Sequence, residues 1–307
     1  MGTALTTKSE GGISSYLNKA EIKANIEGVI GKDNVNSFIT DIVACVNNNA
    51  DLSKCTNKSI LSGALVAKSV NLSLAPHFGH AYLVPFSNKK TITGEDGRKR
   101  TEYVDEAQLN IGWKGYYQLA MRSRIYKKIV ACDVRKGEVS DFNPFTNEYS
   151  IKPIPFEDRM KKDAKGNWLY PVIGYYAMFE TVEGFKHELY MTKEDMQAFA
   201  QKYSKAYRSD IKNGYSYSFW TISFDDMALK TMYRQLLSKY GMLTPEMQKA
   251  YVADMGIVQE DGSVVYADNQ PDEPRTVDNP LEDVIDVEAK VFDPMIGSPD
   301  ELPPNLR

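Results

Sequence analysis

The sequence predicts an α+β fold: helices lead, an antiparallel hairpin and further strands packed with helices follow, and an acidic tail closes the chain. Three observations carry this. Up to about residue 75 apolar side chains recur at helical spacing. From Ala81 onward short β-branched and aromatic runs alternate with turn residues. After Asp254 the composition changes abruptly.

Each element has its own signal. Ser14 and Ser15 are placed to cap a helix running through Ile30. Residues 35–46 carry Phe38, Ile39, Ile42, Val43 and Val46 on one stripe. Asn57 is expected to cap a third helix with Ile60, Leu61, Ala64, Leu65 and Ala67 facing inward. Residues 81–86 and 103–111 read as strands joined by a turn at Glu95-Asp96-Gly97. A helix over 112–124 follows directly, and strands are expected over 128–134, 168–181 and 184–191. Thr192 with Asp195 three residues on predicts a capping box opening a helix through Tyr203. Ser223 with Asp226 predicts the same for a helix through Tyr240, stopped by Gly241.

The formal charge of −4, from 37 Lys+Arg and 41 Asp+Glu over 307 residues, conceals a division. Residues 255–307 hold three basic and 13 acidic residues, a net −10, with seven of the 14 prolines and two of the 34 aromatics. Residues 1–254 carry a net +6. Two units are therefore expected: a binding and assembly body over 1–254, and a largely disordered tail over 255–307 with too little apolar surface to offset its ordering entropy. Within the tail, residues 281–292 alternate acid with Leu281, Val284, Ile285, Val287 and Val291, a pattern able to fold against a partner or to serve solubility alone. No apolar run is long enough to span a membrane, and the Gly/Ser/Thr-rich opening lacks a signal-peptide core. Cys45, Cys55 and Cys132 form no CxxC pair and are expected to be ordinary thiols in a reducing compartment.

The basic residues of the body are not evenly spread. Residues 111–132 contain no Asp or Glu. Lys114, Gln118 and Arg122 fall at i, i+4 and i+8 on one helix face, with Trp113, Tyr116, Leu119 and Ala120 turned the other way. Arg124, Lys127 and Lys128 extend the stripe into the next strand. Such a unit suits a groove that tracks a phosphate backbone. Lys89, Lys90, Arg98, Lys99 and Arg100 crowd the hairpin end, where they form either a solvated tip or a phosphate-contacting finger. On the later helix Asp226, Lys230 and Arg234 stand at i, i+4 and i+8: a surface salt-bridge ladder, or two phosphate contacts. Trp113 and Trp220 read as core or as platforms for stacked bases.

Other chemistries leave no signature. There is no GxxxxGK[ST]; the stretch from Gly28 to Asp33 has the wrong spacing. GxGxxG, HExxH and GxSxG are likewise missing. No metal site is expected. A metal-dependent nuclease built from Asp225, Asp226, His77 and His80 is the alternative, disfavoured because adjacent helix residues point about 100° apart.

Four blocks stand in order along the chain: Asn71-Leu-Ser-Leu-Ala-Pro76; Gly79-His-Ala-Tyr-Leu-Val-Pro-Phe86; Ala107-Gln-Leu-Asn-Ile-Gly-Trp-Lys-Gly-Tyr-Tyr-Gln-Leu-Ala-Met-Arg122; and Asp225-Asp-Met-Ala-Leu-Lys-Thr231 with Arg234-Gln-Leu-Leu-Ser-Lys-Tyr-Gly241. The set resembles the RecT family of phage and prophage single-strand annealing recombinases over residues 22–253. It departs in a longer basic hairpin end around 92–100 and in the tail. The resemblance implies an α+β body that assembles into rings or helical filaments on single-stranded DNA. It also implies ATP-independent annealing to a duplex without covalent catalysis, in the bacterial host cytoplasm. A phage exonuclease and the host single-strand-binding protein are the implied partners, with no cofactor and magnesium acting only through the DNA. A passive strand protector is the other non-enzymatic reading. By resemblance, strand binding falls to Lys114, Tyr117, Gln118 and Arg122, and to Lys230, Arg234 and Lys239. Arg124, Lys127 and Lys128 join them on charge pattern alone.

Overall fold

A computed structural model describes residues 12–93, 99–146, 148–259 and 262–266. Four helices lead: α1 (Ile13–Leu17), α2 (Ala20–Ile30), α3 (Val35–Asn47) and α4 (Asn57–Ser69). The single helix expected through Ile30 is thus divided. The Asn18 side-chain amide donates to the Ser14 carbonyl and Lys19 is extended, a local bond that competes with helix continuation. Helix α4 is capped by Thr56, one residue before the expected Asn57, with its hydroxyl accepting from the Ser59 N–H. Its Ile60, Leu61, Ala64 and Ala67 are buried as the pattern requires.

Strands β1 (Ala81–Thr93) and β2 (Lys99–Ile111) pair antiparallel from Ala81 opposite Ile111 to Thr93 opposite Lys99. Both outrun their expected lengths. Positions 89, 90, 99 and 100 therefore belong to the ladder rather than to a loop. The side chains of Lys89, Lys90, Lys99 and Arg100, and the whole of Arg98 and the Glu95–Gly97 turn, lie outside the described residues. The hairpin docks on α4, where the Ser59 hydroxyl accepts from the Ala107 N–H at 2.8 Å.

Helix α5 (Trp113–Arg122) leads into β3 (Tyr126–Arg135), which pairs with β6 (Val172–Thr181). That strand pairs in turn with β7 (Lys186–Thr192), completing an antiparallel sheet ordered β3-β6-β7. Between them lie β4 (Val139–Asn143), β5 (Glu148–Ile151) and the short helix α6 (Phe156–Arg159). The strand expected from Trp168 starts only at Val172, because Pro171 just before it has no N–H for a ladder. Helices α7 (Lys193–Tyr203), α8 (Lys205–Asn213), α9 (Phe219–Ile222), α10 (Phe224–Tyr240) and α11 (Pro245–Ala253) follow. The Thr192 cap forms as expected, accepting from the Asp195 N–H at 3.1 Å. Ser223 makes no such cap on α10, and the Asp226 carboxylate expected to complete the box accepts from Trp113 Nε1 instead. Gly241 ends α10 in an extended conformation, and its value is proximity: a Cβ there would lie 2.5 Å from the Tyr126 hydroxyl oxygen.

The core joins α5 and α10 over the sheet, with Tyr116, Leu119 and Ala120 facing Met232, Tyr233, Leu236 and Leu237. Trp220 is a core residue, buried against Phe224, whereas half-buried Trp113 packs on the edge of the core and stacks on Tyr233 at 6.2 Å. Cys55 is buried, Cys45 and Cys132 half-buried, and all three are free thiols.

The expected boundary after residue 254 falls inside the fold. Leu109 exchanges main-chain hydrogen bonds with Met255 and Gly256, and β8 (Ile257–Val258) pairs with β9 (Val264–Val265). Ile257 and Val258 are buried. Composition averaged over 53 residues hides these two apolar pairs around the left-handed Gly262 (φ +83°). Residues 267–307, including the acidic-apolar stretch at 281–292, lie outside the described residues. Among the described residues no helix is long and apolar enough to cross a membrane.

Candidate nucleic-acid interface

The surface of interest begins where β2 gives way to α5. Gly112 donates its N–H to the His80 carbonyl, so the first turn of α5 lies directly on the segment that opens β1. The approach is close enough that glycine is required. A Cβ on Gly112 would run into the Gly79 carbonyl oxygen, and one on Gly115 into that of His80. Lys114 leaves this turn toward solvent, its methylenes over Gly79 and its ammonium 5.6 Å from the Trp113 ring centroid. One turn on, exposed Tyr117 sets its ring edge-to-face against buried Tyr233, and Gln118 is half-buried. Phe78 and Tyr82 are exposed beside them on the preceding loop and strand.

Arg122 is exposed but committed. Its guanidinium donates to the Val70 carbonyl at 2.8 Å and the Asn71 carbonyl at 2.9 Å, closing the C-terminus of α4. Lys114 and Arg122 flank His80, whose buried Nδ1 has no hydrogen-bond partner among the described residues. Burial, and then the charges of Arg122 and Lys114, push the His80 pKa below its ordinary value.

Arg124 stands exposed in the left-handed region (φ +59°) between α5 and β3. A bulge at Tyr126/Lys128 in the pairing with β6 lets Lys127 and Lys128 both face solvent in succession, which strict alternation forbids. Lys127 is paired to Glu180 at 2.7 Å. Lys239 is exposed in the last turn of α10.

Lys230 and Arg234 require a correction. Neither forms the surface ladder with Asp226, and Lys230 is not available to a phosphate. Its ammonium is buried and ion-paired at 2.8 Å to Asp254, a residue with no solvent exposure. Arg234, one-third exposed, donates to the other carboxylate oxygen at 2.6 Å and lies over the Tyr251 ring. The Tyr116 hydroxyl and the Ile111 N–H complete the carboxylate's shell, both at 2.7 Å. Burial alone would raise the Asp254 carboxyl; the charges of Lys230 and Arg234 and the Ile111 N–H outweigh it and hold it below the usual range. Burial lowers Lys230 despite Asp254, and burial with the nearby carboxylate raises Tyr116 well above an ordinary phenol. Asp254 escaped the sequence reading because nothing in its own neighbourhood marks it; its partners lie at 111, 116, 230 and 234.

The carboxylates of the nuclease alternative are engaged elsewhere. Asp225 accepts from the Tyr175 hydroxyl and Asp226 from Trp113 Nε1 at 3.2 Å, while His77 and His80 sit against the Phe78 ring. Among the described residues no group of three His, Cys, Asp or Glu is placed to hold a metal ion.

Residues 36–266 match the RecT family, covering most of the body just described. The chain belongs to the RecT family. It is 32% identical to the uncharacterised protein YqaK of Bacillus subtilis, over 95% of this chain and 90% of that protein. It is 29% identical to protein RecT of Escherichia coli over 66% of this chain and 65% of that protein, so the match leaves about a third of each outside it. Family membership supports a DNA-binding, single-strand annealing protein of recombination. Within the RecT match fall the α5 surface, the Asp254 cluster and the β8–β9 hairpin.

Proposed function

We propose that this RecT-family chain anneals complementary single-stranded DNA without ATP or covalent catalysis, holding each strand by its backbone. One observation supports this best: the acid-free segment 111–132 presents Lys114, Tyr117, Arg124 and Lys128 to solvent. An annealing protein must neutralise phosphates and leave base edges free to pair. Gln118, Lys127 and Lys239 belong to the same proposed contact set. Arg122 contributes the donors not spent on α4. Arg234 contributes at most its exposed third, and Lys230 positions the fold. No cofactor is required, because base pairing supplies the driving force, and magnesium acts through the DNA. The chain assembles into rings or helical filaments on the strand and ends with the annealed duplex. It works in the bacterial cytoplasm beside an exonuclease that exposes strands and a host single-strand-binding protein that covers them.

The test is annealing of complementary oligonucleotides in the absence of nucleotide, with magnesium present and at low salt. Acceleration over spontaneous pairing is expected. No acceleration would sink the proposal, slowed pairing would make the chain a strand protector, and cleaved DNA would revive the nuclease.

A further inference from the structure

A second basic surface lies on the C-terminal end of α7 and on α8, beyond the exposed Glu194 and Asp195 of the first turn of α7. From Ala198 to Asn213 the chain carries Lys202, Lys205, Arg208 and Lys212 against a single acid, Asp210. That acid is mostly buried and its carboxylate is spent on neighbours: it accepts from the Tyr217 N–H at 3.0 Å, the Ser218 N–H at 2.8 Å and the Thr221 hydroxyl at 2.7 Å. These bonds fix the loop after α8, which turns at left-handed Gly214 and holds Tyr215 and Tyr217 out in solvent, 52% and 79% exposed, with ring centroids 5.4 Å apart.

Two depressions adjoin at Ile211. One, of about 560 Å³, is lined by Gln201, Lys202, Arg208 and Lys212. The other, of about 450 Å³, is lined by Lys193, Tyr207, Tyr215 and two acids, Asp210 and Asp225. The second reaches the N-terminus of α10, where Asp225 and Asp226 stand side by side. Asp226 in turn holds Trp113, the first residue of α5. The α7–α8 groove and the α5 surface are therefore neighbours divided by two carboxylates.

We infer that the α7–α8 groove is a second binding surface for single-stranded nucleic acid, one that receives the incoming strand while the α5 surface holds the first. Cations interleaved with exposed aromatic rings fit phosphates and stacked bases together. The two carboxylates repel a backbone that would run continuously across them, which favours two strands over one. Tyr215 and Tyr217, rigidly presented, hold the incoming bases transiently before pairing draws them off. The inference rests on the annealing reading above, and its test separates the two.

The test titrates dT oligonucleotide onto the full-length protein and counts binding classes, and separately times annealing. Two classes are expected in the wild type. Charge reversal at two exposed lysines, Lys202→Glu with Lys212→Glu, should remove the weaker class, leave the tighter within twofold, and slow annealing at least tenfold. Tyr217→Ala should weaken the second class several-fold, and Tyr217→Phe should restore it. A second class lost in the variant of a wild-type protein that fails to anneal upholds the groove and overturns the function. A single wild-type class that the double variant leaves unchanged overturns the groove. So does a fall in the tighter class in step with annealing, which makes the groove part of the first site. Poly-glutamate displacing the second class as well as dT does reassigns the groove to an acidic polypeptide.

Discussion

Asp254 accepts from the Lys230 ammonium at 2.8 Å, and both residues are buried. The pair ties the middle of α10 to the residue that ends α11, and through Ile111 and Tyr116 to the root of α5. A family motif lysine thus serves as an internal counter-charge behind the surface it was expected to line.

Removing the carboxylate should be costly. Asp254→Asn leaves Lys230 buried with no charged partner, and about 3–5 kcal/mol of stability should be lost, read as a lower urea midpoint. The pH dependence has a definite sign. Because the folded carboxyl lies below its usual value, its contribution is complete above the unfolded value of about 3.9 and fades as pH drops through the lower folded one. Wild-type stability should therefore fall more steeply than the variant's below about pH 4. Parallel acid curves for the two proteins would remove Asp254 from this role.

Salt dependence separates surface cations from buried ones. Lys114→Ala should lower the slope of log K against log salt by about 0.7 for a single strand, the contribution of one phosphate contact. Lys230→Met should lower stability and leave that slope unchanged in the protein that remains folded. Equal loss of slope in both variants would mean that Lys230 turns outward on DNA.

His80 should make binding proton-linked. A phosphate lodged between Lys114 and Arg122 cancels the two charges that, after burial, depress its pKa. The complex then holds a proton more tightly than the free protein does, so affinity rises as pH falls through the histidine range, whose ordinary value is about 6.5. His80→Gln should flatten that trend. An equally steep dependence in the variant places the proton on another group.

Gly115 tests the packing behind Lys114. Alanine there meets the His80 carbonyl oxygen and, at 2.8 Å, Ile111 Cγ2, so main chain must move. A loss of about 1–3 kcal/mol is expected by thermal unfolding, the usual range for overpacking. Weaker DNA binding should accompany it, because the first turn of α5 lifts from Gly79. Unchanged affinity in the folded variant would free the site from this contact.

Much of the fold was legible because its signals are local. Period-3.6 stripes mark α3, α4 and α5, the Thr192–Asp195 cap forms as written, and the runs at 81–86 and 103–111 pair as the hairpin expected of them. Errors arose where a distant group intervened. Asp226, expected to cap its own helix with Ser223, is engaged by Trp113, and Asp225 beside it by Tyr175. Lys127 and Lys128 face the same way only because the pairing with β6 contains a bulge.

The sequence by itself determined α3, α4, α5, α7 and α10, the hairpin with the sheet strands that follow it, the uneven division of charge along the chain, and the family, since each is carried by nearest neighbours or by ordered motifs; it left β4, β5, α6, α8, α9, α11 and the β8–β9 pair unmarked. Only the tertiary structure decided which cations face water. Periodicity places Lys230 and Arg234 on a face of α10, but which way that face turns depends on a carboxylate at least 20 residues away in the chain. A buried charge is tolerated only beside its opposite, and no local pattern records where that opposite lies.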